Sequence, residues 1–257
     1  TVFAPTDAAF AKLGTDAING LLADPSALAD ILLYHVYADA VVLADGAISV
    51  AASDQSILEM ANATAEKSGG RTALSLSDTG LTVNLASVTS ANVMASNGVI
   101  HVIDNVMLPP PSKGDVTTNI VDTAIAAGTF TTLLTALETA GLVDALSDPD
   151  GKFTVFAPTD AAFDLIDADA LSALLADTEA LTTLLTTHVI AGSAVDAVTA
   201  YSLNGTLVET LSGKTVEVAI EDGSLRIQGA KVISSDIYTT NGIIHVIDRV
   251  ITDPASE

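Results

Sequence analysis

The decapeptide TVFAPTDAAF occupies residues 1–10 and recurs letter for letter at residues 154–163. A second pair of segments, NGVIHVIDNVM at 97–107 and NGIIHVIDRVI at 241–251, follows in the same order. Each member of this second pair opens with Asn-Gly, a turn signal, and continues with β-branched residues that alternate between two faces, which is typical of a buried strand. A repeat of this kind indicates that the chain consists of two copies of one domain.

The segment LPPPSKGDV at 108–116 marks the boundary between the copies, because three prolines followed by Ser-Lys-Gly end a strand and form a short, stiff connection. We predict a first domain at 1–110, a linker at 111–114 and a second, complete domain at 115–257. The first copy starts directly at the decapeptide and lacks the N-terminal helices that precede the same motif in the second copy. Each copy is long enough to bury its own core.

The order of patterns within the second copy predicts an α+β fold. Apolar residues at helical spacing precede and follow the decapeptide, with Gly128 and Gly141 as breaks between two short helices in the first of these stretches. From residue 194 onward, short β-branched segments alternate with Asn-Gly, Ser-Gly and Asp-Gly turns. Helices first and strands later predict a helical layer packed against a largely antiparallel sheet or wedge.

Charge and composition exclude several classes of partner. The chain has 9 basic and 32 acidic residues, a net charge of −23 and no cysteine. Such a surface repels nucleic-acid phosphates and anionic lipid, and divalent cations are expected to bind at most weakly. The absence of cysteine excludes a disulfide framework, and no apolar run reaches the roughly 18 residues of a membrane span.

Motifs for catalysis and for cofactors are missing from the sequence. It contains no Gly-x-Ser-x-Gly elbow, no phosphate-binding glycine loop, no Cys nucleophile and no HExxH spacing. The segment SDPDGKF at 147–153 is similar to part of a calcium loop, but it lacks the later glutamate and is predicted to be a turn. We therefore expect no enzyme activity, no metal site and no cofactor.

Three motifs occur in the same order in both copies: the decapeptide, a central histidine (LLYHVY at 32–37 and LLTTHV at 184–189) and the closing strand. Together they resemble the landmarks of the fasciclin domain. The resemblance implies a β-wedge with a cap of helices, a secreted or surface-anchored location, and a role in adhesion or matrix organisation.

The resemblance also suggests binding residues. The first copy keeps the Tyr34-His35 pair, whereas the second has Thr at the position of the tyrosine. An adhesive Asp-Ile dipeptide precedes the last motif in animal members, and Asp236-Ile237 stands at the matching place in the second copy. We name Tyr34, His35, Asp236 and Ile237 as candidate binding residues. The alternative for Asp236-Ile237 is that it only ends a strand.

The four histidines are expected to be structural. His101 and His245 each lie in the middle of an apolar strand, so their rings should be buried and hydrogen-bonded. His35 and His188 follow leucine-rich helices, and the resemblance implies that they tie back to the first motif. Asp7 and Asp160 are the candidate partners. The predicted histidine network is thus His35, His101, His188, His245, Asp7 and Asp160.

The abrupt start of the first copy leads to a prediction about assembly. Without the helices that cover the second copy, the first should expose an apolar groove beside Phe3 and Phe10. We expect this groove to be filled by upstream residues of a longer chain or by a segment of a neighbouring molecule, the latter giving an array or filament.

The expected function is an extracellular or cell-surface adhesion and assembly module that binds other proteins or surface ligands and associates with itself. The alternative is a carrier of an apolar ligand such as a carotenoid, since some fasciclin-type proteins of algae and cyanobacteria resemble this chain in acidity and the Ala- and Val-rich walls could enclose such a molecule. Only 4% of the residues are aromatic, which disfavours the carrier.

Overall fold

A computed structural model describes residues 1–44, 57–61, 70–77, 80–84, 86–111, 116–221 and 224–252. It divides into two compact units, the first over Thr1–Pro111 with Glu221–Gly223 and the second over Ser112–Ile220 and Ser224–Glu257. Each unit combines helices with one sheet, which confirms the predicted α+β class. The proposed linker at 111–114 lies, apart from Pro111, outside the described residues.

The first unit contains a six-stranded sheet and three helices within its described part. The elements are β1 (Val2–Pro5), α1 (Asp7–Ala11), α2 (Thr15–Ala23), α3 (Pro25–Tyr34), β2 (Ile57–Glu59), β3 (Arg71–Ser77), β4 (Gly80–Val83), β5 (Ala86–Ala95) and β6 (Gly98–Ile103). The strand order is β1-β6-β5-β4-β3-β2. The first strand runs parallel to the last, β6, and the other pairs are antiparallel.

The second unit repeats this plan and adds helices before its first strand. The elements are α4 (Ile120–Ala127), α5 (Thr131–Thr139), α6 (Val143–Leu146), β7 (Phe153–Pro158), α7 (Asp160–Phe163), α8 (Ala168–Ala176), α9 (Thr178–Thr187), β8 (Val189–Ala191), α10 (Ala197–Ser202), β9 (Thr206–Glu209), β10 (Thr215–Glu221), β11 (Ser224–Ile227), β12 (Ala230–Thr239) and β13 (Gly242–Ile247). The strand order is β8-β7-β13-β12-β11-β10-β9, with β7 parallel to β13.

The repeated decapeptide forms the same strand-to-helix corner in both units. The hydroxyl of Thr6 accepts a hydrogen bond from the backbone N–H of Ala9, and Thr159 does the same for Ala162. A threonine at the N-cap satisfies an N–H group that the first turn of a helix leaves unpaired. The sequence Pro-Thr-Asp therefore ends β1 and β7 and starts α1 and α7.

The helices that precede β7 are part of the core of the second unit. Gly128 and Gly141 have left-handed backbone conformations, with φ of 67° and 68°, and separate α4, α5 and α6. The sequence predicted two helices here, and the third, α6, is a single turn. The buried side chains that α4–α6 and the turn before α5 contribute are Ile120, Val121, Ala124, Phe130, Leu133, Ala136, Leu137 and Leu146.

Candidate functional site

The central histidine of the first unit connects two segments of backbone. The Nδ1 atom of His35 donates to the carbonyl oxygen of Ile31 at 2.7 Å, and Nε2 accepts from the N–H of Met107 at 3.0 Å. These contacts join the end of α3 to the segment that follows β6. Burial lowers the pKa of His35, although the bond to Ile31 opposes this effect. The ring is therefore neutral.

His188 repeats this arrangement in the second unit. Its Nδ1 atom donates to the carbonyl of Leu184 at 2.8 Å, and its Nε2 atom accepts from the N–H of Ile251 at 2.9 Å. Burial lowers the pKa of His188 to about 4, again against the effect of the backbone hydrogen bond. Both central histidines thus act as neutral bridges between a helix and the chain after the closing strand.

The expectation that Asp7 and Asp160 are the partners of these histidines is wrong, because backbone groups occupy both nitrogens of each ring. The carboxylate of Asp160 accepts instead from the N–H of Thr131 at 3.2 Å and from the N–H of Thr132 at 2.8 Å, at the start of α5. Burial raises the pKa of Asp160, but these bonds together outweigh it and hold the pKa below its usual value. Asp7 is exposed.

The strand histidines are buried and stack on the aromatic residue of the decapeptide. The rings of Phe3 and His101, which face each other across β1 and β6, have centroids 5.7 Å apart. Phe156 and His245 repeat the pair at 6.0 Å. The Nε2 atom of His101 lies 2.8 Å from the carbonyl oxygen of Val42, and the described residues give its buried Nδ1 atom no hydrogen-bond partner.

Tyr34 and His35 do not form an accessible binding pair, which corrects that expectation. Tyr34 is 2% exposed, and its hydroxyl donates to the carbonyl of Arg71 at 2.6 Å and accepts from the side-chain amide of Asn84 at 3.2 Å. His35 is 4% exposed. Both side chains stabilise the interior of the first unit and cannot reach a partner protein.

Asp236 and Ile237 also differ from the expectation. They lie within β12, at a bulge where Asp236 has a left-handed φ of 60°. The Asp236 carboxylate accepts from the N–H of Ala197 at 2.7 Å, at the start of α10. Burial raises the pKa of Asp236, and neighbouring His245 opposes this only in part. Ile237 packs against the core. The dipeptide therefore lies in the closing part of β12, as the alternative has it, and does not present its carboxylate to a partner.

The first unit carries an apolar surface, which we call the open face. Its nine residues are identical in type to nine core residues of the second unit, yet they are only half-buried or exposed. Leu32 is 50% exposed, whereas its counterpart Leu185 is 2% exposed. The residues of the open face are Val2, Ala4, Phe10, Leu28, Leu32, Val36, Ile100, Val102 and Val106.

The counterparts of the open face pack against α4–α6 in the second unit. They are Val155, Ala157, Phe163, Leu181, Leu185, Val189, Ile244, Val246 and Val250. One of the two residues named for the predicted groove is misplaced. Phe10 belongs to the open face, whereas Phe3 is fully buried on the other side of the sheet, against His101.

Two polar side chains, Asp160 and Asn241, hold α4–α6 by hydrogen bonds, and the sequence analysis does not name Asn241. Besides Asp160, the buried Asn241 accepts from the N–H of Ile120 at 3.0 Å and donates to the carbonyl of Leu146 at 2.8 Å. Asn241 belongs to an Asn-Gly pair, and such a pair by itself predicts only a turn. Its counterpart in the first unit, Asn97, is exposed.

The segment SDPDGKF forms a turn that enters β7, in which the N–H of Asp150 donates to the carboxylate of Asp148 at 3.0 Å. Over the described ranges, no three His, Asp or Glu side chains lie close enough to hold a metal ion. Among the helices of those ranges, none combines the length and the apolar character needed to cross a bilayer.

The duplicated corner, the paired central histidines and the paired closing strands define one kind of domain present twice. The sequence model of the Fasciclin domain matches residues 1–109 and 128–253. The chain therefore belongs to the fasciclin domain family.

Relatives include animal and cyanobacterial proteins. Transforming growth factor-beta-induced protein ig-h3 of Sus scrofa is 33% identical over 254 residues, which cover 98% of this chain and 34% of that protein. Protein sll1483 of Synechocystis is 39% identical over 142 residues, covering 54% of this chain and 76% of that protein. The chain thus spans about a third of the length of the ig-h3 proteins.

Among solved structures, a FAS1 domain pair from the insect cell adhesion molecule Fasciclin I matches 98% of this chain and 88% of its own chain. The TM-score is 0.49 and the sequence identity is 21%.

Proposed function

We propose that this protein is an extracellular or cell-surface module for adhesion and assembly, which acts through its surfaces and forms part of a multimeric array. The observation that carries this proposal is that two fasciclin domains make up almost the whole chain. Both domains carry exposed apolar side chains, among them Leu32 at 50% exposure and Leu165 at 70% exposure.

The buried titratable groups support a role without catalysis. His35 and His188 are neutral and fully hydrogen-bonded to backbone, so neither ring is available to transfer a proton to a substrate. Asp236 and Asp160 are bound to the starts of helices. These side chains, which enzymes commonly use for chemistry, here hold helices and strands together.

The family relationship supports the location and the kind of partner. The chain belongs to the fasciclin domain family, and adhesion at a cell surface or in a matrix is the role that this family membership suggests for it. Its net charge of −23 favours protein or surface ligands over nucleic acid and anionic membranes.

A single charge on the open face tests the proposal. Leu32→Asp places a carboxylate at the centre of the apolar surface, and we expect it to reduce both self-association in sedimentation experiments and adhesion to coated surfaces by tenfold or more. Leu165→Asp is the matched control, because Leu165 is an exposed leucine of the second unit, at 70% exposure.

Equal self-association and adhesion for wild type, Leu32→Asp and Leu165→Asp would contradict a role of the open face. Protein purified from its natural source also tests the carrier alternative. A visible absorbance band that stays with the purified protein would favour an apolar ligand, whereas a colourless adhesive protein favours the proposal.

A further inference from the structure

We propose that the second unit binds a neutral saccharide in an open cleft between α9 and the turn at Lys214. This inference rests on the proposed function and names the chemical class of one surface ligand. The cleft has a volume of about 410 Å³, which lies within the range of small-molecule sites. The residues that line it include Asp177, Glu179, Thr183, Leu184, Lys214 and Ile251.

A buried side chain holds two of the lining residues in place. His188 lies behind the cleft, where its ring donates to the carbonyl of Leu184 and accepts from the N–H of Ile251. The same ring therefore joins α9 to the segment after β13, and these two elements form adjoining walls of the cleft. A site whose walls are fixed before binding loses less conformational entropy when a ligand arrives.

The wall at Lys214 is particular to the second unit. The hydroxyl of Ser212 lies 3.0 Å from that of Thr187 and accepts from the N–H of Lys214 at 3.3 Å, which links α9 to the turn. In the first unit, Tyr34 replaces Thr187. The carbonyls of Gly70 and Lys214 accept equivalent backbone hydrogen bonds, so the first unit has a glycine where the second has a cation.

The polar groups of the cleft keep capacity for hydrogen bonds with a ligand. The Oδ1 atom of Asp177 caps α9 by accepting from the N–H groups of Glu179 and Ala180. Among the described residues, no ion pair engages Asp177, Glu179 or Lys214. A ligand must therefore donate hydrogen bonds to carboxylates on one side and accept them from an ammonium group on the other.

These requirements decide between classes of ligand. A hydroxyl group both donates and accepts, and the C–H groups of a sugar ring can contact Leu184 and Ile251. An anion would meet two carboxylates, and the N–H groups at the start of α9 are already bonded to Asp177. An apolar molecule would remove water from Glu179 and Lys214 without replacing their hydrogen bonds. A neutral saccharide therefore fits the lining best.

Three neutral disaccharides, cellobiose, maltose and lactose, are the probes. Titrated into the isotope-labelled full chain, at least one of them should shift the amide resonances of α9, of residues 212–214 and of Ile251. We expect a Kd of about 1–10 mM, because the ligand exchanges hydrogen bonds with water for hydrogen bonds with the protein. Dialanine and sodium phosphate, at matched ionic strength, are the control ligands and should leave these resonances unchanged.

Variants of the chain locate the site. Ala180→Phe places a ring in the cleft and should abolish disaccharide binding, whereas Ala173→Phe, at an exposed alanine of α8 outside the lining, should bind like wild type. Lys214→Gln should weaken binding about tenfold through the loss of a charged donor. Lys152→Gln, at another exposed lysine of the second unit, should not. All four positions are exposed, and circular dichroism checks that each variant is folded.

Three results would overturn the inference: no shift of the cleft resonances by any of the disaccharides, equal binding to the Ala180→Phe variant, or tighter binding of dialanine or phosphate in the cleft. If no disaccharide binds while Leu32→Asp still reduces self-association and adhesion, the inference fails and the proposed function stands. If a disaccharide binds in the cleft but neither Ala180→Phe nor Leu32→Asp changes adhesion, the proposed function fails instead.

Discussion

The Nε2 atom of His188 accepts a hydrogen bond from the backbone N–H of Ile251 at 2.9 Å, and its Nδ1 atom donates one to the carbonyl of Leu184. One side chain therefore fixes the end of α9 against the segment that follows β13. His35 links Ile31 and Met107 in the same way in the first unit. Each of these histidines acts as a connector, that is, its ring joins two segments of backbone by hydrogen bonds. This requires a ring with one donor nitrogen and one acceptor nitrogen.

Replacing either connector should destabilise only its own unit. We expect His188→Ala to lower the free energy of unfolding of the second unit by about 1–3 kcal/mol, because the N–H of Ile251 loses its acceptor inside the protein. His35→Ala should have a similar effect on the first unit through Met107. Denaturant titration followed by hydrogen exchange in peptides of each unit measures both effects. A His188→Ala protein with unchanged exchange in β13 would contradict this role.

The stability of the second unit should also depend on pH through His188. Its pKa is about 4 in the folded protein and 6.5 when unperturbed, so between these values the unfolded chain binds a proton that the folded chain does not. The contribution of neutral His188 to the free energy of unfolding is therefore complete above pH 6.5. It is lost as the pH falls to 4, a change of about 3 kcal/mol.

The His188→Gln variant provides the comparison for this pH effect, because glutamine does not titrate. Protonation of the many carboxylates at low pH changes the stability of both proteins and cancels in their difference. The difference in unfolding free energy between wild type and variant should shrink steadily from pH 7 to pH 4. A constant difference would refute the assignment of this titration to His188.

Two equivalent glycines should respond differently to the same substitution. A Cβ atom at Gly242 would overlap the carbonyl oxygen of Phe153 and lie 3.1 Å from Cδ1 of Ile120, whereas one at Gly98 meets nothing within 4 Å. We expect Gly242→Ala to cost about 1–3 kcal/mol by overpacking and Gly98→Ala to stay within about 0.5 kcal/mol. Thermal melting of both variants measures this, and equal losses would contradict the account.

The equivalent residues Asp160 and Asp7 provide a similar comparison, which tests the hydrogen bonds at the start of α5. Asp160→Ala removes the acceptor for the N–H groups of Thr131 and Thr132 and should destabilise the second unit by about 1 kcal/mol, the usual effect of losing a helix cap. Asp7→Ala should change the stability of the chain by less than about 0.5 kcal/mol, because Asp7 is exposed. Chemical denaturation distinguishes the two, and a larger loss for Asp7→Ala would show that this carboxylate has a structural role of its own.

The sequence was most informative where side chains decide the structure. The breaks at Gly128 and Gly141, the α+β class and the burial of His101 follow from residue type and periodicity, and the structure has them. The partners of His35 and His188 could not be predicted, because backbone N–H and carbonyl groups leave no mark in a sequence. The attempt to pair these histidines with aspartates failed for that reason.

The position of a β-bulge and the exposure of individual apolar side chains also could not be predicted from the sequence. The left-handed conformation of Asp236 interrupts the alternation of β12, and the resemblance that named its carboxylate as a binding group does not reveal such a bulge. Phe3 and Phe10 look equally apolar, and only the fold places them on opposite sides of the sheet. The exposure of the open face cannot be predicted from residue type, because the same nine residue types are buried in the second unit.

The parallel pairing of the first and last strands matters for a protein that is pulled. In each unit, β1 with β6 and β7 with β13, tension transmitted along the chain reaches the start of one strand and the end of its parallel neighbour, in the second unit by way of α4–α6, which precede β7. Because the two strands run in the same direction, this force slides them past each other and loads all the hydrogen bonds between them at once. Single-molecule stretching should therefore show two unfolding events at high force, instead of a gradual peeling. Tension along the chain thus loads the hydrogen bonds between the paired strands of each unit in shear.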